Sequence, residues 1–237
     1  VTLVFIDSTQ GWLVTDSGLQ SEAPGPEYIS ASGGTESNSP CGNFKIHKFT
    51  GPGTFTVSSL GNAAGGLDKV DYLVVGSGGA GGCNGGGGGA GGFRESYSAP
   101  VSGPYTASPL ANPTPLTVTA TAFPIIVGGG GTCSPPGESP APNRNGNVST
   151  FSTITSAAGG GGGSSGGSLP SVMYIGAAGG SGGGGSAPFP PPGPAAGGAG
   201  NTPPVSPAQG FAGGGGHHQG CVYYAGGAGG GATAVGG

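Results

Sequence analysis

The chain of 237 residues contains 61 glycines and 23 prolines, whereas Lys and Arg together number 5 and Asp and Glu 9. A net charge of −4 with so few basic side chains excludes a phosphate-neutralising stripe, so nucleic acid is not an expected partner. No apolar stretch approaches the roughly 18 residues that span a bilayer, so membrane insertion is not expected either.

Residues 1–16 predict a β-hairpin. Two β-rich runs are separated by Ser-Thr-Gln-Gly, and Leu3, Phe5 and Trp12 supply an apolar face. Because two strands alone are marginally stable in water, we interpret this hairpin as an attachment or assembly segment that pairs with another chain or another part of the molecule. Since Val1 is not an initiating Met, we expect a processed chain or a fragment of a longer one.

Residues 17–42 are interpreted as a linker because they carry no hydrophobic periodicity. Residues 43–75 predict a small β region. Apolar residues alternate with polar ones on both sides of a Thr-Gly-Pro-Gly turn at 50–53, a pattern typical of a second hairpin. A nearly continuous apolar strand follows at 70–75, and we expect it to be buried on both faces.

Residues 76–237 predict a bundle of polyglycine II helices with interleaved strands and loops, the strands near 116–127 and 148–154. Polyglycine II runs direct their N–H and C=O groups outward in three directions, so neighbouring runs can hydrogen-bond to each other. Recurrent glycine and proline leave no stretch for an α-helix. The predicted fold is therefore all-β with an irregular glycine-rich part. Glycine runs lie near 76–92, 128–131, 159–167, 176–185, 193–200, 210–216 and 226–237.

A GxGxxG pattern at 76–81 follows an apolar strand, as in dinucleotide-binding proteins. That site needs a helix to begin there, and the glycines after Gly81 make a helix untenable. No other catalytic motif is present, so we expect neither enzymatic activity nor a cofactor. His217 and His218 would point apart on an extended segment, so no metal site is predicted within one chain.

The four cysteines form no CxxC pair, so a zinc site has little support. Their even number permits two disulfides in three pairings, and free buried thiols are an equal alternative. They are Cys41, Cys83, Cys133 and Cys221.

Four strings in a fixed order carry a resemblance to a known family. Within residues 43–163 the chain reads VDYLVVGSGGAGG, GGGGGAGGFRESYSAP, FPIIVGGGG and NVSTFSTITSAAGGGGG. In this order they closely resemble the glycine-rich domain of tail-fibre and adhesin proteins of tailed bacteriophages. The segment 1–16 separately resembles the strand ends of trimeric phage fibre segments. Residues 170–237 depart from the family pattern.

The resemblance implies a rigid polyglycine II scaffold whose loops at one end bind a bacterial surface receptor, either a protein or a glycan. It also implies an extracellular position on the virion surface, in a tail fibre, and a homo-oligomer for which a trimer is expected. The alternative hypothesis is a structural subunit of an extracellular glycine-rich filament, in which the glycine body supplies only stiffness.

Candidate receptor-binding residues are rings and prolines in the loops between glycine runs. Proline lowers the entropy cost of ordering a loop, and aromatic faces suit sugars and apolar receptor patches. The same rings could instead cap the bundle and shield its backbone. The candidates are Tyr105, Phe189, Pro191, His217, His218, Tyr223 and Tyr224.

Overall fold

The structure is a computed structural model that describes residues 3–14, 25–40, 42, 44–97, 108–133, 144–165, 173–187, 195–219 and 223–237. Within these ranges the fold is all-β, with a short 3-10 turn at Ala63–Gly65. The strands are β1 (Leu3–Asp7), β2 (Gly11–Val14), β3 (Ser30–Ser32), β4 (Thr35–Asn38), β5 (Lys45–Lys48), β6 (Gly53–Ser59), β7 (Lys69–Val70), β8 (Leu73–Val75), β9 (Phe93–Ser96), β10 (Ala111–Asn112), β11 (Leu116–Thr117), β12 (Ala122–Ile126), β13 (Ser149–Phe151), β14 (Ile154–Ser156), β15 (His217–Gln219) and β16 (Tyr223–Ala225).

The largest sheet has five antiparallel strands in the order β14-β13-β12-β6-β3. Alternate residues of a strand face the same side, so Phe55 and Val57 of β6 are buried together, with Val118 against them. Phe55 meets Phe151 edge to face, with ring centroids 5.7 Å apart. These rings form the main side-chain core.

The described residues also form five smaller sheets. Strands β8 and β9 are antiparallel and β10 adds to β9 in parallel, while β7 pairs with β11 and β4 with β5. The predicted N-terminal hairpin is present as β1 and β2, and Phe5 meets its register partner Trp12 edge to face, with ring centroids 5.3 Å apart. A last hairpin joins β15 to β16.

Three local expectations differ from the structure. Strands β5 and β6 do not form a hairpin, because β5 pairs with β4 and β6 lies between β3 and β12. Strands β3 and β4 lie inside the expected linker, where pairing with β6 and β5 makes strands of residues without an apolar pattern of their own. Strand β8 is buried on one face only, since Val74 is 8% exposed but Leu73 is 60% exposed.

The glycine-rich part consists of short extended runs joined by hydrogen bonds between runs rather than within them. We number these runs in chain order. They are run 1 (76–82), run 2 (85–92), run 3 (128–131), run 4 (157–163), run 5 (174–180), run 6 (181–187), run 7 (195–201), run 8 (210–216) and run 9 (226–231).

Hydrogen bonds between runs recur at every third residue, which is the period of polyglycine II. Runs 1 and 2 are antiparallel, and the donors of run 1 are Gly76, Gly79 and Gly82, at 2.8 to 2.9 Å. Runs 1 and 4 are parallel, and Gly159 and Gly162 donate to Ser77 and Ala80. The predicted polyglycine II bundle is therefore confirmed.

Run 6 lies at the centre of this bundle. Residues 181 to 186 donate their N–H groups in turn to runs 2, 8, 5, 2, 8 and 5, and their carbonyls accept in turn from runs 4, 9, 7, 4, 9 and 7. These bonds measure 2.7 to 3.2 Å. The surrounding runs are also bonded to each other in the cyclic order 4, 2, 9, 8, 7, 5, which closes a hexagonal ring around run 6. All of run 6 is buried.

Glycine is required inside this ring for steric reasons. A Cβ added at Gly182, Gly183, Gly184 or Gly185 would overlap a carbonyl oxygen of an adjacent run. The two non-glycine residues that flank them are Ser181 and Ser186, whose hydroxyls donate to Gly231 O at 3.0 Å and Ser164 O at 3.0 Å. The central run therefore has its backbone and side-chain polar groups hydrogen-bonded.

Candidate functional site

The direction of the runs places the long connections of the bundle at one end. Runs 1, 3, 4, 6 and 8 point one way, and run 2, segment 144–147 and runs 5, 7 and 9 point the other way. Runs 1, 3 and 4 start from strands β8, β12 and β14. We call the end at which these runs finish the loop end, and the opposite end the sheet end.

Connections at the loop end join consecutive runs of the bundle. Run 1 turns into run 2 through Cys83 and Asn84, and Asn84 adopts a positive φ of 46°. The chain leaves the described bundle at this end at Cys133, Ser165, Ala187 and Gln219, and it re-enters at Arg144, Met173, Ala195 and Tyr223. The loop end is therefore the surface from which segments 134–143, 166–172, 188–194 and 220–222 depart and to which they return.

Hydrogen bonds tie these exit points to one another. Ser165 N donates to Cys83 O at 2.9 Å, and Ser164 N donates to Met173 O at 2.8 Å. Ala195 N donates to Ser186 O at 3.0 Å. Adjacent exit points are thus fixed by backbone bonds, so the bases of the loops have a defined spacing.

Arg144 anchors the re-entry of segment 144–147. Its guanidinium donates to Gly162 O and, over 2.9 Å, to Ser164 Oγ, while Gly161 N donates to the Asn145 side chain at 2.8 Å. Burial lowers the pKa of the Arg144 guanidinium from its ordinary value, but an arginine side chain stays protonated in proteins. The Arg144 guanidinium is engaged in hydrogen bonds inside the bundle, so Arg144 is not a free ligand-binding cation.

The hairpin β15–β16 extends runs 8 and 9 beyond the bundle at the loop end. His217 is opposite Ala225 and His218 is opposite Tyr224. The His218 and Tyr224 rings have centroids 6.4 Å apart and planes tilted by 41°. His217 and Tyr224 are exposed, whereas the Nδ1 atom of His218 is buried and has no hydrogen-bond partner in the described structure. This hairpin presents rings on a backbone that the bundle fixes.

The sheet end is closed by hydrogen bonds from a buried glutamine. Gln209 is 1% exposed, its Oε1 accepts from Ala157 N at 2.8 Å, and its Nε2 donates to Pro203 O at 2.8 Å. Its carbonyl also accepts from Phe93 N at 2.8 Å. Gln209 therefore joins runs 4 and 8 to β9 and stiffens this end.

Four of the seven predicted candidates lie in the described structure. His217, His218, Tyr223 and Tyr224 lie in the loop-end hairpin. Phe189 and Pro191 lie outside the described residues, and their segment starts and finishes at the loop end, at Ala187 and Ala195. Tyr105 also lies outside the described residues, and its segment 98–107 joins β9 to β10.

The structure distinguishes between a disulfide and a free thiol for only two of the four cysteines. Cys83 and Cys133 are free thiols at the loop end, and the Cys133 thiol donates to Gly81 O at 3.7 Å. Cys41 and Cys221 lie outside the described residues.

The sequence analysis treated 76–92 and 176–185 each as one glycine run, whereas in the structure each of these segments contributes to two runs. In segment 76–92 the pair Cys83-Asn84 could have indicated the turn between the two runs, because Asn tolerates a left-handed backbone conformation.

Small β-sheets joined to a hexagonal polyglycine II bundle define a glycine-rich domain. A family model for the glycine-rich domain matches residues 50–237, and the chain belongs to that family. Comparison with curated proteins and with solved structures found no match. No helix in the described part of the chain has the length and apolarity of a membrane span.

Proposed function

We propose that this chain is the adhesin region of a bacteriophage tail fibre, on the virion surface, and that its loop end binds a bacterial surface receptor. The observation that carries this proposal is the shared location of the exit points Cys133, Ser165, Ala187 and Gln219 at one end of a rigid bundle. Binding residues are commonly placed on loops that a rigid scaffold positions.

The composition of the loop-end segments supports a binding role. Segment 188–194 reads PFPPPGP, and segment 134–143 contains Glu138 as its only charged residue. Proline reduces the entropy that a loop loses on binding, and Phe189 offers an aromatic face. Together with His217 and Tyr224, these segments would present an apolar, nearly uncharged surface to a protein or glycan receptor.

The proposal is tested by deleting loops on an unchanged scaffold. Replacing 188–194 with a short Gly-Ser linker should abolish host adsorption, while assembled particles remain intact and the bundle keeps its unfolding midpoint. Replacing the sheet-end segment 98–107 in the same way is the matched control, and it should leave adsorption unchanged. Normal adsorption after replacement of both 188–194 and 220–222 would contradict the adhesin role.

We propose further that the chain acts as a homo-oligomer, with a trimer expected, assembled through the hairpin β1–β2. Both faces of this hairpin are apolar and exposed in the single chain: Leu3 and Phe5 are each 53% exposed, and Val4 and Ile6 are 46% and 44% exposed. A two-stranded sheet of this kind gains stability when other strands cover it.

The same hairpin favours the alternative function, a structural subunit of an extracellular filament. In that case the hairpin would link chains end to end, and the loop end would bind nothing. Electron microscopy of the purified chain separates the two functions. Compact trimers favour the adhesin, whereas long polymers formed without other virion components favour the filament.

A further inference from the structure

The β part contains a small cavity beside the only cationic side chain that lacks a partner. All 5 Lys and Arg side chains lie in the described residues. Lys45 pairs with Glu36 and Lys69 with Asp68, while Arg94 and Arg144 donate to backbone carbonyls. Lys48 alone among them has neither an ion pair nor a hydrogen bond. A free ammonium is a donor of three hydrogen bonds.

The cavity that Lys48 lines has a volume of about 230 Å³. Its wall also carries three threonines, each exposed, whose hydroxyls both donate and accept hydrogen bonds. The volume is below the roughly 300 Å³ at which pockets for drug-sized ligands begin, so the cavity suits a single small ring. The threonines are Thr35, Thr50 and Thr54.

Phe49 and Pro52 form the apolar part of the wall, and the Phe49 ring packs closely against glycines. A Cβ at Gly34 would lie 3.1 Å from Phe49 Cε2, and a Cβ at Gly53 would lie 3.2 Å from Phe49 Cδ1. A side chain at either position would therefore crowd the ring. The result is an aromatic surface flanked by hydroxyls and one cation.

The neighbouring acid does not compete for Lys48. Glu36 follows Thr35 on β4, and successive residues of a strand face opposite sides. The Glu36 carboxylate is held by Lys45 at 2.6 Å on the side that carries His47. The cavity side of this hairpin therefore offers a positive charge without a negative one from β4.

We propose that this cavity binds an acidic sugar unit, a single hexose-sized ring that bears a carboxylate. The carboxylate pairs with the Lys48 ammonium, the ring hydroxyls bond to the threonine hydroxyls, and the ring stacks on Phe49. The site lies beside Gly53, whose register partner Ile125 precedes run 3 at the sheet end. The loop end is a run length away, about 22 Å for seven residues at about 3.1 Å each.

The test is an NMR titration of isotope-labelled chain with glucuronate, glucose and acetate. Glucuronate should shift the amide signals of residues 34–35 and 48–54 saturably. Lys48→Gln, which changes an exposed side chain, should weaken binding about tenfold or more, the effect of losing one charge-assisted hydrogen bond. Thr50→Val should weaken it as well. Lys69→Gln, on another sheet, should leave it unchanged.

Absence of saturable shifts with glucuronate overturns the proposal, as does unchanged binding by Lys48→Gln. Binding of acetate as tight as that of glucuronate, or equal binding of glucose, also overturns it, because the ring or the carboxylate would then be irrelevant. This inference does not rest on the adhesin role. Replacing the loop-end segments does not alter the cavity, so either proposal can fail alone.

Discussion

Gly198 donates its backbone N–H to the carbonyl oxygen of Gly183 over 2.7 Å, and this bond joins run 7 to the centre of the bundle. Neither residue can carry a side chain, because each also packs against a third run: a Cβ on Gly198 would overlap Ala177 O of run 5. A Cβ on Gly183 would overlap Gly161 O of run 4. The close approach of runs, rather than the burial of side chains, is therefore what stabilises the bundle.

Gly183→Ala should destabilise the chain by about 3 kcal/mol or more, because the overlapping atom is backbone and cannot move without shifting a run. Thermal unfolding followed by circular dichroism measures the effect. The matched control is Gly215→Ala. There the added Cβ meets Ala195 O at 3.5 Å, an ordinary contact, and the expected change is within about 0.5 kcal/mol. Equal midpoints for both variants would contradict the lattice.

Gln209→Leu should cost about 1 to 3 kcal/mol, because it leaves the buried Ala157 N–H without a partner. The Pro203 C=O also loses its donor, but Pro203 is exposed, so water can replace that bond. Gln209→Glu provides a second readout. Its carboxylate accepts from Ala157 but donates to nothing until it is protonated, and burial raises a carboxyl pKa. Stability of this variant should therefore rise as pH falls, and a pH-independent deficit would be inconsistent with the assigned bonds.

The hairpin β4–β5 should lose stability in acid. A side-chain hydrogen bond from Lys45 lowers the pKa of Glu36 below its ordinary value of 4.5. A carboxyl whose pKa is lowered on folding stabilises the fold above its unfolded pKa, and the contribution disappears as pH falls through the folded pKa. Glu36→Gln should therefore lower the unfolding midpoint at pH 7 and leave it unchanged near pH 2.5. A difference from wild type that persists at pH 2.5 would argue against this pair.

Trp12→Ser should shift the assembled chain toward monomer, because Trp12 is 66% exposed on the single hairpin and belongs to the surface that other copies would cover. Sedimentation velocity at several concentrations measures the change. Tyr28→Ser is the control, since Tyr28 is 69% exposed outside this hairpin. If both variants assemble like wild type, the hairpin is not the interface.

The sequence was sufficient to predict that the chain forms a polyglycine II bundle, but not to predict which runs are hydrogen-bonded to each other. The glycine runs were sufficient to predict polyglycine II, and the apolar face of Leu3, Phe5 and Trp12 was sufficient to predict the first hairpin. These features are local. The place of residues 181–187 at the centre of the ring depends on bonds to six other runs, and glycine has no side chain that could mark an inner or an outer position.

Long-range pairing also explains what the sequence did not reveal in the β part. Strands β5 and β6 were predicted to pair with each other. In the structure β5 pairs with β4 and β6 pairs with β12. The segment that contains Tyr105 starts from β9, because run 2 carries the chain to β9 at the sheet end. Direction is set by hydrogen bonds between runs, and neither composition nor spacing encodes it.

Native-state amide hydrogen exchange of residues 181–186 tests the central claim most directly. If run 6 is enclosed by the six surrounding runs, these amides exchange only when the whole bundle opens, with a free energy equal to that of global unfolding. The exposed residues 233–235 should exchange many orders of magnitude faster. Exchange of the run 6 amides as fast as that of 233–235 would contradict the hexagonal bundle, and with it the rigid scaffold on which the proposed loop end depends.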